Sequence, residues 1–221
     1  MRARPFPGFL CAHSGDGVQD TQAEGFWIAL TIEYDDRMTA VTQTRMNVDQ
    51  FIAWAEARPG RYELYNGVVY AMSPEGAGHA KVKLRMQVAL VEAVRKSGIP
   101  CHVLPDGMTV RVDEHTAHEP DAQVYCGQEL PFDAIEVPNP VIVVEVLSPS
   151  TRHIDASVKL AGYFRLPSVV HYLIIDPNKP LVVHHARRPD GTIVTRVANE
   201  GTIALDPPGL TLALADVYGA G

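Results

Sequence analysis

Val141-Ile142-Val143-Val144-Glu145-Val146-Leu147 is the stretch on which the fold turns. A strand with one wet face alternates apolar and polar residues. This one is apolar on both faces except at Glu145, so it reads as a central strand covered from each side. Downstream, Ser148-Pro149-Ser150-Thr151 reads as a turn, 155–165 as a helix and 169–176 as a further apolar strand. Two hairpin arms at 181–187 and 192–197 flank Pro189-Asp190-Gly191. A short strand near Ile203 and a terminal segment at 212–218 finish the chain.

Upstream, Asn47 is placed to cap a helix whose Val48, Phe51, Ile52 and Ala55 recur at helical spacing, and Pro59-Gly60 ends it. Tyr62-Glu63-Leu64-Tyr65, then Asn66-Gly67, then Val68-Val69-Tyr70-Ala71-Met72 is a hairpin signal, because Asn-Gly supplies the positive φ angles of a two-residue turn. The loop Ser73-Pro74-Glu75-Gly76-Ala77-Gly78 leads into a helix at 79–96 with an apolar stripe of Val82, Met86, Ala89, Leu90 and Ala93. Strands are expected at 101–104, 109–112 and 122–125, with a polar loop over 113–121. The order is that of an α/β protein with a mixed β-sheet flanked by helices.

The composition is that of an ordinary globular chain: 221 residues, 46% hydrophobic, 20% charged. Residues 1–37 carry three Arg against six acids and no sustained period, so they read as a poorly ordered or extended segment, or as sequence ahead of a start at Met38 or Met46. Residues 38–221 then form one domain. No apolar run approaches the ~20 residues that span a bilayer, so no membrane partner is expected. Cys11, Cys101 and Cys126 form no C-x-x-C pair, which suits a reducing, cytoplasmic setting. A net charge of −7 argues against holding nucleic acid by bulk charge, though not against a local basic groove.

Glu145 carries the most information. A lone carboxylate inside a doubly covered strand is costly to desolvate, so it either pairs with a buried Lys or Arg or serves as a metal ligand. Asp121 follows Pro120 at the entry to a strand, where an Asp needs no function. The two together change the weighting: strands of one sheet lie ~4.8 Å apart, so both carboxylates can share a hard cation. Lys159 lies four residues after Asp155, the spacing of a surface ion pair, or of an ammonium placed beside that metal to polarise a phosphate.

Pro120-Asp121, Glu145-Val146-Leu147-Ser148 and Lys159 together resemble the PD-(D/E)XK restriction-endonuclease-like superfamily, and more narrowly the Uma-type family of bacterial endonucleases. The supporting stretches are Arg61 to Gly67, His79, Val144 to Thr151, Asp155 with Lys159 and Tyr163, and Tyr172 to Pro177, so the resemblance covers about 46–218. It implies a restriction-endonuclease-like fold and an enzyme that hydrolyses DNA phosphodiester bonds with Mg²⁺, for which Mn²⁺ can substitute. In that reading Asp121, Glu145 and the Val146 carbonyl hold the metal, Lys159 steadies the attacking hydroxide, Glu63 is a third acid that binds the metal or holds a metal-bound water, and His79 contacts phosphate or orients the site. The superfamily pattern places its Lys two residues after the acid, where this chain has Leu147; Lys159 on the following helix replaces it. Cutting both strands of DNA implies a homodimer by symmetry.

Other clusters carry less. His115, His118, Glu119 and Asp121 are crowded, but they fall in the expected polar loop without a second Cys or His set at zinc spacing. His184-His185 in a strand point to opposite faces. Gly76 and Gly78 lack the Lys-Ser/Thr of a phosphate loop. Lys81, Arg85 and Lys96 lie near one helix face, as either a DNA-facing patch or an ordinary solvated face. Two other classes of function stay open: a nuclease-fold DNA-binding or accessory module without turnover, and a structural or protein-interaction domain in which Glu145 pairs with a buried cation.

Overall fold

A computed structural model describes residues 40–42, 44–148 and 155–219. The expected extension at 1–37 lies outside these residues, as does most of the expected turn after Ser148.

Helix α1 (Val48–Glu56) opens on a complete capping box: Asn47 Oδ1 accepts from the Gln50 amide at 2.9 Å, and Gln50 Oε1 accepts from the Asn47 amide at 3.0 Å. Asn47→Ala should therefore lower stability by about 1 kcal/mol, measurable by denaturant unfolding. Val48 and Phe51 bury their side chains among Leu64, Val69 and Ala117. Strands β1 (Tyr62–Tyr65) and β2 (Val68–Ala71) form the expected hairpin, with Asn66 at φ 48° and Gly67 at φ 79°. A Cβ on Gly67 would also come within 3.2 Å of the Met46 carbonyl oxygen, so the turn needs glycine twice over.

Helix α2 (Ala77–Ser97) runs six turns and ends at Gly98, whose left-handed conformation turns its amide back onto the Val94 carbonyl. Strands β3 (Cys101–Pro105), β4 (Val110–Asp113), β5 (Thr116–His118), β6 (Ala122–Cys126) and β7 (Pro140–Val146) follow. A single turn of π-helix, Asp155–Lys159, leads into α3 (Leu160–Tyr163). Strands β8 (His171–Ile175), β9 (Val182–Arg187), β10 (Ile193–Ala198), β11 (Thr202–Leu205) and β12 (Leu210–Ala213) and helix α4 (Leu214–Tyr218) complete the chain.

The strands make three sheets rather than one. The main sheet has the order β10-β9-β8-β7-β6-β3, a smaller one β2-β1-β5-β4, and β11-β12 is a hairpin of its own. Strand β7 lies inside the main sheet, parallel to β8 and antiparallel to β6. Its Ile142, Val144 and Val146 pack into the core shared with Met86 and Leu90 of α2 and with Leu205, Leu210 and Val217. Val143 points the other way, into a second core with Tyr163, Tyr172 and Ile174. The double covering read from the sequence is thus a helix on one face and the α3 layer on the other.

Two expectations are corrected here. The stretch 113–121 is not a solvated loop: Thr116–His118 is strand β5, and His118, Glu119 and Asp121 are buried. Its short, polar sequence hid a strand whose edges pair with β1 and β4 and whose faces are closed by α1 and α3. The cysteines, unremarkable by spacing, meet through strand pairing: Cys101 opposes Cys126 across β3 and β6, and the two form a disulfide. Such a bond persists in oxidising surroundings and opens to a dithiol in reducing ones. No helix among the described residues is long and apolar enough to cross a membrane.

Candidate active site

Strand pairing brings the two acids of the sequence pattern side by side. Ala122 opposes Val144 across β6 and β7, so Asp121 follows at the level of Glu145. The Asp121 amide donates to the Val144 carbonyl at 3.0 Å, which extends that ladder by one residue. The two side chains then part. Glu145 faces the α3 layer, whereas Asp121 turns at the strand end toward α2.

On the α3 side, Lys159 is 1% exposed and lies between two acids. Its ammonium donates to Glu145 Oε1 at 3.0 Å and to Glu63 Oε1 at 2.8 Å. The π-helical turn widens the backbone at Lys159, and such turns recur at functional sites. One helical turn later, the Tyr163 hydroxyl donates to the same Glu145 oxygen at 2.7 Å. Burial, then the neighbouring Glu145, raises the Tyr163 pKa well above 10, so it stays a donor. Glu63 comes from the smaller sheet and Glu145 from the main one, so Lys159 ties the two sheets together. Burial pushes the Glu63 carboxyl up, but the Lys159 ammonium and the Glu119 amide, which donates at 2.9 Å, help to hold it below its ordinary value. Burial depresses His118, beside Glu63, to about 4, so it is neutral.

On the α2 side, Asp121 Oδ2 accepts from the Val146 amide at 2.7 Å. Burial raises the Asp121 pKa in spite of that amide and of nearby His79, Lys83 and Lys159. His79 Nε2 lies 2.8 Å from the Val146 carbonyl oxygen and 3.8 Å from Asp121 Oδ2. Lys83 contacts Glu75, donates to Asp106 at 2.9 Å and comes within 3.7 Å of Asp121 Oδ1. Arg61 contacts Asp106 at 2.6 Å, Glu119 at 2.5 Å and Glu75 at 3.1 Å. Burial raises Glu119 even against that guanidinium. Across both sides, six carboxylates (Glu63, Glu75, Asp106, Glu119, Asp121, Glu145) meet three fixed cations (Arg61, Lys83, Lys159). The balance is negative, and Glu63, Glu119, Asp121 and Glu145 are buried, which favours binding a cation.

All five residues named from the sequence, and the Val146 carbonyl, therefore lie at this pair of strand ends. Lys159 is buried and not on the surface, so its spacing from Asp155 misled about its environment. Sequence reading missed Arg61, Glu75, Lys83 and Asp106 as parts of the site. Lys83 carried one signal, since it follows His79 at i+4 on the same helix face. The helix cations Lys81, Arg85 and Lys96, which read from the sequence as either a DNA-facing patch or a solvated face, are all exposed, and Arg85 donates to the Tyr218 carbonyl at 2.9 Å.

Residues 48–215 match the model of the Uma2 family, described as "Putative restriction endonuclease". The chain belongs to the Uma2 family. An uncharacterised protein of Synechocystis sp. is 22% identical over 176 residues, which span 79% of this chain and 92% of that protein. A crystal structure titled as a "putative nuclease belonging to DUF820" from Anabaena variabilis matches with a TM-score of 0.62 at 16% identity, covering 78% of this chain and 97% of that one. It shares the fold. The Uma2 chain thus has a restriction-endonuclease-like α/β fold with a mixed sheet flanked by helices.

Proposed function

We propose that this Uma2 protein is a metal-dependent endonuclease that hydrolyses DNA phosphodiester bonds. The observation that supports this most is the Lys159 ammonium, held 3.0 Å from Glu145 at the strand end where Asp121 lies opposite. Asp121, the Val146 carbonyl and Glu145, which stands at the same level of the neighbouring strand although its side chain turns to the α3 side, are the oxygen donors that suit Mg²⁺ or Mn²⁺. Asp121 fits a cation on its own chemistry: it is a buried carboxylate whose ionisation burial opposes, in a cluster with more acids than fixed cations. A divalent ion supplies charge to the attacked phosphate and lowers the pKa of a bound water.

The chain's own groups do the rest. Lys159 places a desolvated positive charge where charge develops on the phosphate, and Glu63 and Tyr163 fix its surroundings. His79 stands on the Val146 carbonyl and orients that carbonyl within the site. With a net charge of −7, affinity for DNA should be low without the metal and should fall as salt rises.

Purified protein should nick supercoiled plasmid with Mg²⁺ or Mn²⁺ and not with EDTA, and Asp121→Ala and Glu145→Ala should each abolish nicking while remaining folded. Equal nicking by wild type and both variants would reject the assignment. A second reading has one observation in its favour. Glu145 Oε1 already accepts from Lys159 and Tyr163, as a purely structural buried pair would. In that case Glu145→Ala lowers the melting temperature and no preparation nicks DNA.

A further inference from the structure

We infer that Glu75, His79 and Asp121 form a cation position on the α2 side of the site, suited to a first-row transition-metal ion rather than to Mg²⁺. One donor atom from each of the three lies within 4.8 Å of the others, close enough for ligands of a single ion. The inference rests on the reading of Asp121 as a metal carboxylate. It adds a nitrogen donor and a second carboxylate that the Asp121, Glu145 and Val146 set lacks.

The decisive feature is the His79 ring. Its Nε2 lies 2.8 Å from the Val146 carbonyl oxygen, which accepts only, so Nε2 must carry the proton. That tautomer leaves Nδ1 as a bare lone pair. Nδ1 is shielded from solvent and makes no hydrogen bond among the described residues. The nearest acid, Glu75 Oε2, is 3.5 Å away and, once ionised, has no proton to offer. An imidazole that donates one N–H to a backbone carbonyl and turns its other nitrogen toward a carboxylate, here that of Glu75, has the outer-shell bonding of a metal-ligating histidine.

The surrounding contacts leave room for this role. Lys83 takes Glu75 Oε1 and leaves Oε2 on the histidine side. Asp121 is fixed by the Val146 amide through Oδ2, and its Oδ1 is 3.7 Å from Lys83, beyond a hydrogen bond. The same Val146 residue thus orients both ligands, one through its amide and one through its carbonyl. One imidazole with two carboxylates suits Mn²⁺, Fe²⁺, Co²⁺ or Zn²⁺, whereas Mg²⁺ prefers oxygen donors and water.

Mn²⁺ is the probe. Titration of the full chain, followed by loss of the free Mn²⁺ EPR signal, should show one ion per chain, bound more tightly than Mg²⁺ in competition. Pulsed EPR of the bound ion should show coupling to an imidazole nitrogen. His79→Gln should remove that coupling, and Glu75→Gln, at a partly exposed position that tolerates the change, should weaken binding by about tenfold or more. Mn²⁺ bound without nitrogen coupling, unaffected by Glu75→Gln and lost in Glu145→Gln, would overturn this position and leave the active-site reading standing. Absence of Mn²⁺ binding by the folded wild type would overturn both.

Discussion

Lys159→Met should cost about 3–5 kcal/mol of stability and abolish DNA cleavage. The side chain is 1% exposed, and its ammonium bridges Glu63 and Glu145, which are 1% and 4% exposed. Methionine matches the volume but leaves two buried carboxyl groups facing each other, and breaking a buried ion pair from one side costs that much. With the ammonium gone, what lowers the Glu63 pKa is mostly gone too, and burial pushes it up. The loss should therefore be greatest near neutral pH and smaller in acid, where the carboxyls take up protons. The triple variant Lys159→Met, Glu63→Gln, Glu145→Gln separates the roles. It should regain much of the lost stability in urea unfolding, because no uncompensated charge remains, and it should still fail to nick plasmid. Recovery of both stability and cleavage in the triple variant would show that the cluster only holds the two sheets together.

How much of this was legible in the sequence depended on the kind of interaction involved. Local rules read α1 from its cap, the β1–β2 hairpin from Asn66-Gly67, and α2 from its apolar stripe and Gly98, because each is decided within a few residues. The central strand was legible because burial on both faces leaves a run of seven residues with one polar exception. Strand β5 was not, because three residues carry no period and His118 is buried by neighbours from distant parts of the chain. The same limit applies to the site. Asp121, Glu145 and Lys159 stood out against their local background, and the resemblance joined them. Arg61, Glu75 and Asp106 are ordinary surface residues by type, and only the meeting of β1, α2 and the end of β3 makes them one cluster. The division of the strands into separate sheets was also invisible, since pairing between β1 and β5 links residues more than fifty positions apart.

Stability should fall as the pH drops from about 7 to 5, by roughly 2 kcal/mol from His118 alone. Burial depresses His118 to about 4, whereas in the unfolded chain its pKa is near 6.5. The unfolded chain therefore gains a proton across this window that the folded chain refuses. The stability that His118 contributes is complete above about 6.5 and is lost as the pH falls toward 4. His184 acts in the same direction, at about 4 through burial and then the adjacent His171, and burial also lowers His171 and His185. The His171–His184 pair explains the resistance. His171 Nε2 lies 2.9 Å from the Pro207 carbonyl and must carry a proton, so its Nδ1 accepts from His184 Nε2 at 2.9 Å. A proton added to that Nδ1 would set two N–H groups against each other. Glu119 and Asp121, whose pKa values burial raises, act in the opposite sense: the folded chain takes up their protons first, which adds stability toward the acid end. Two histidines held at about 4 by burial, His118 and His184, each favour the fall against these two carboxyls. Urea unfolding at several pH values tests this. His118→Leu, which fills the site without a titratable ring, should flatten the slope between pH 6.5 and 5. An unchanged slope in that variant would mean that the folded chain admits water or a proton to His118.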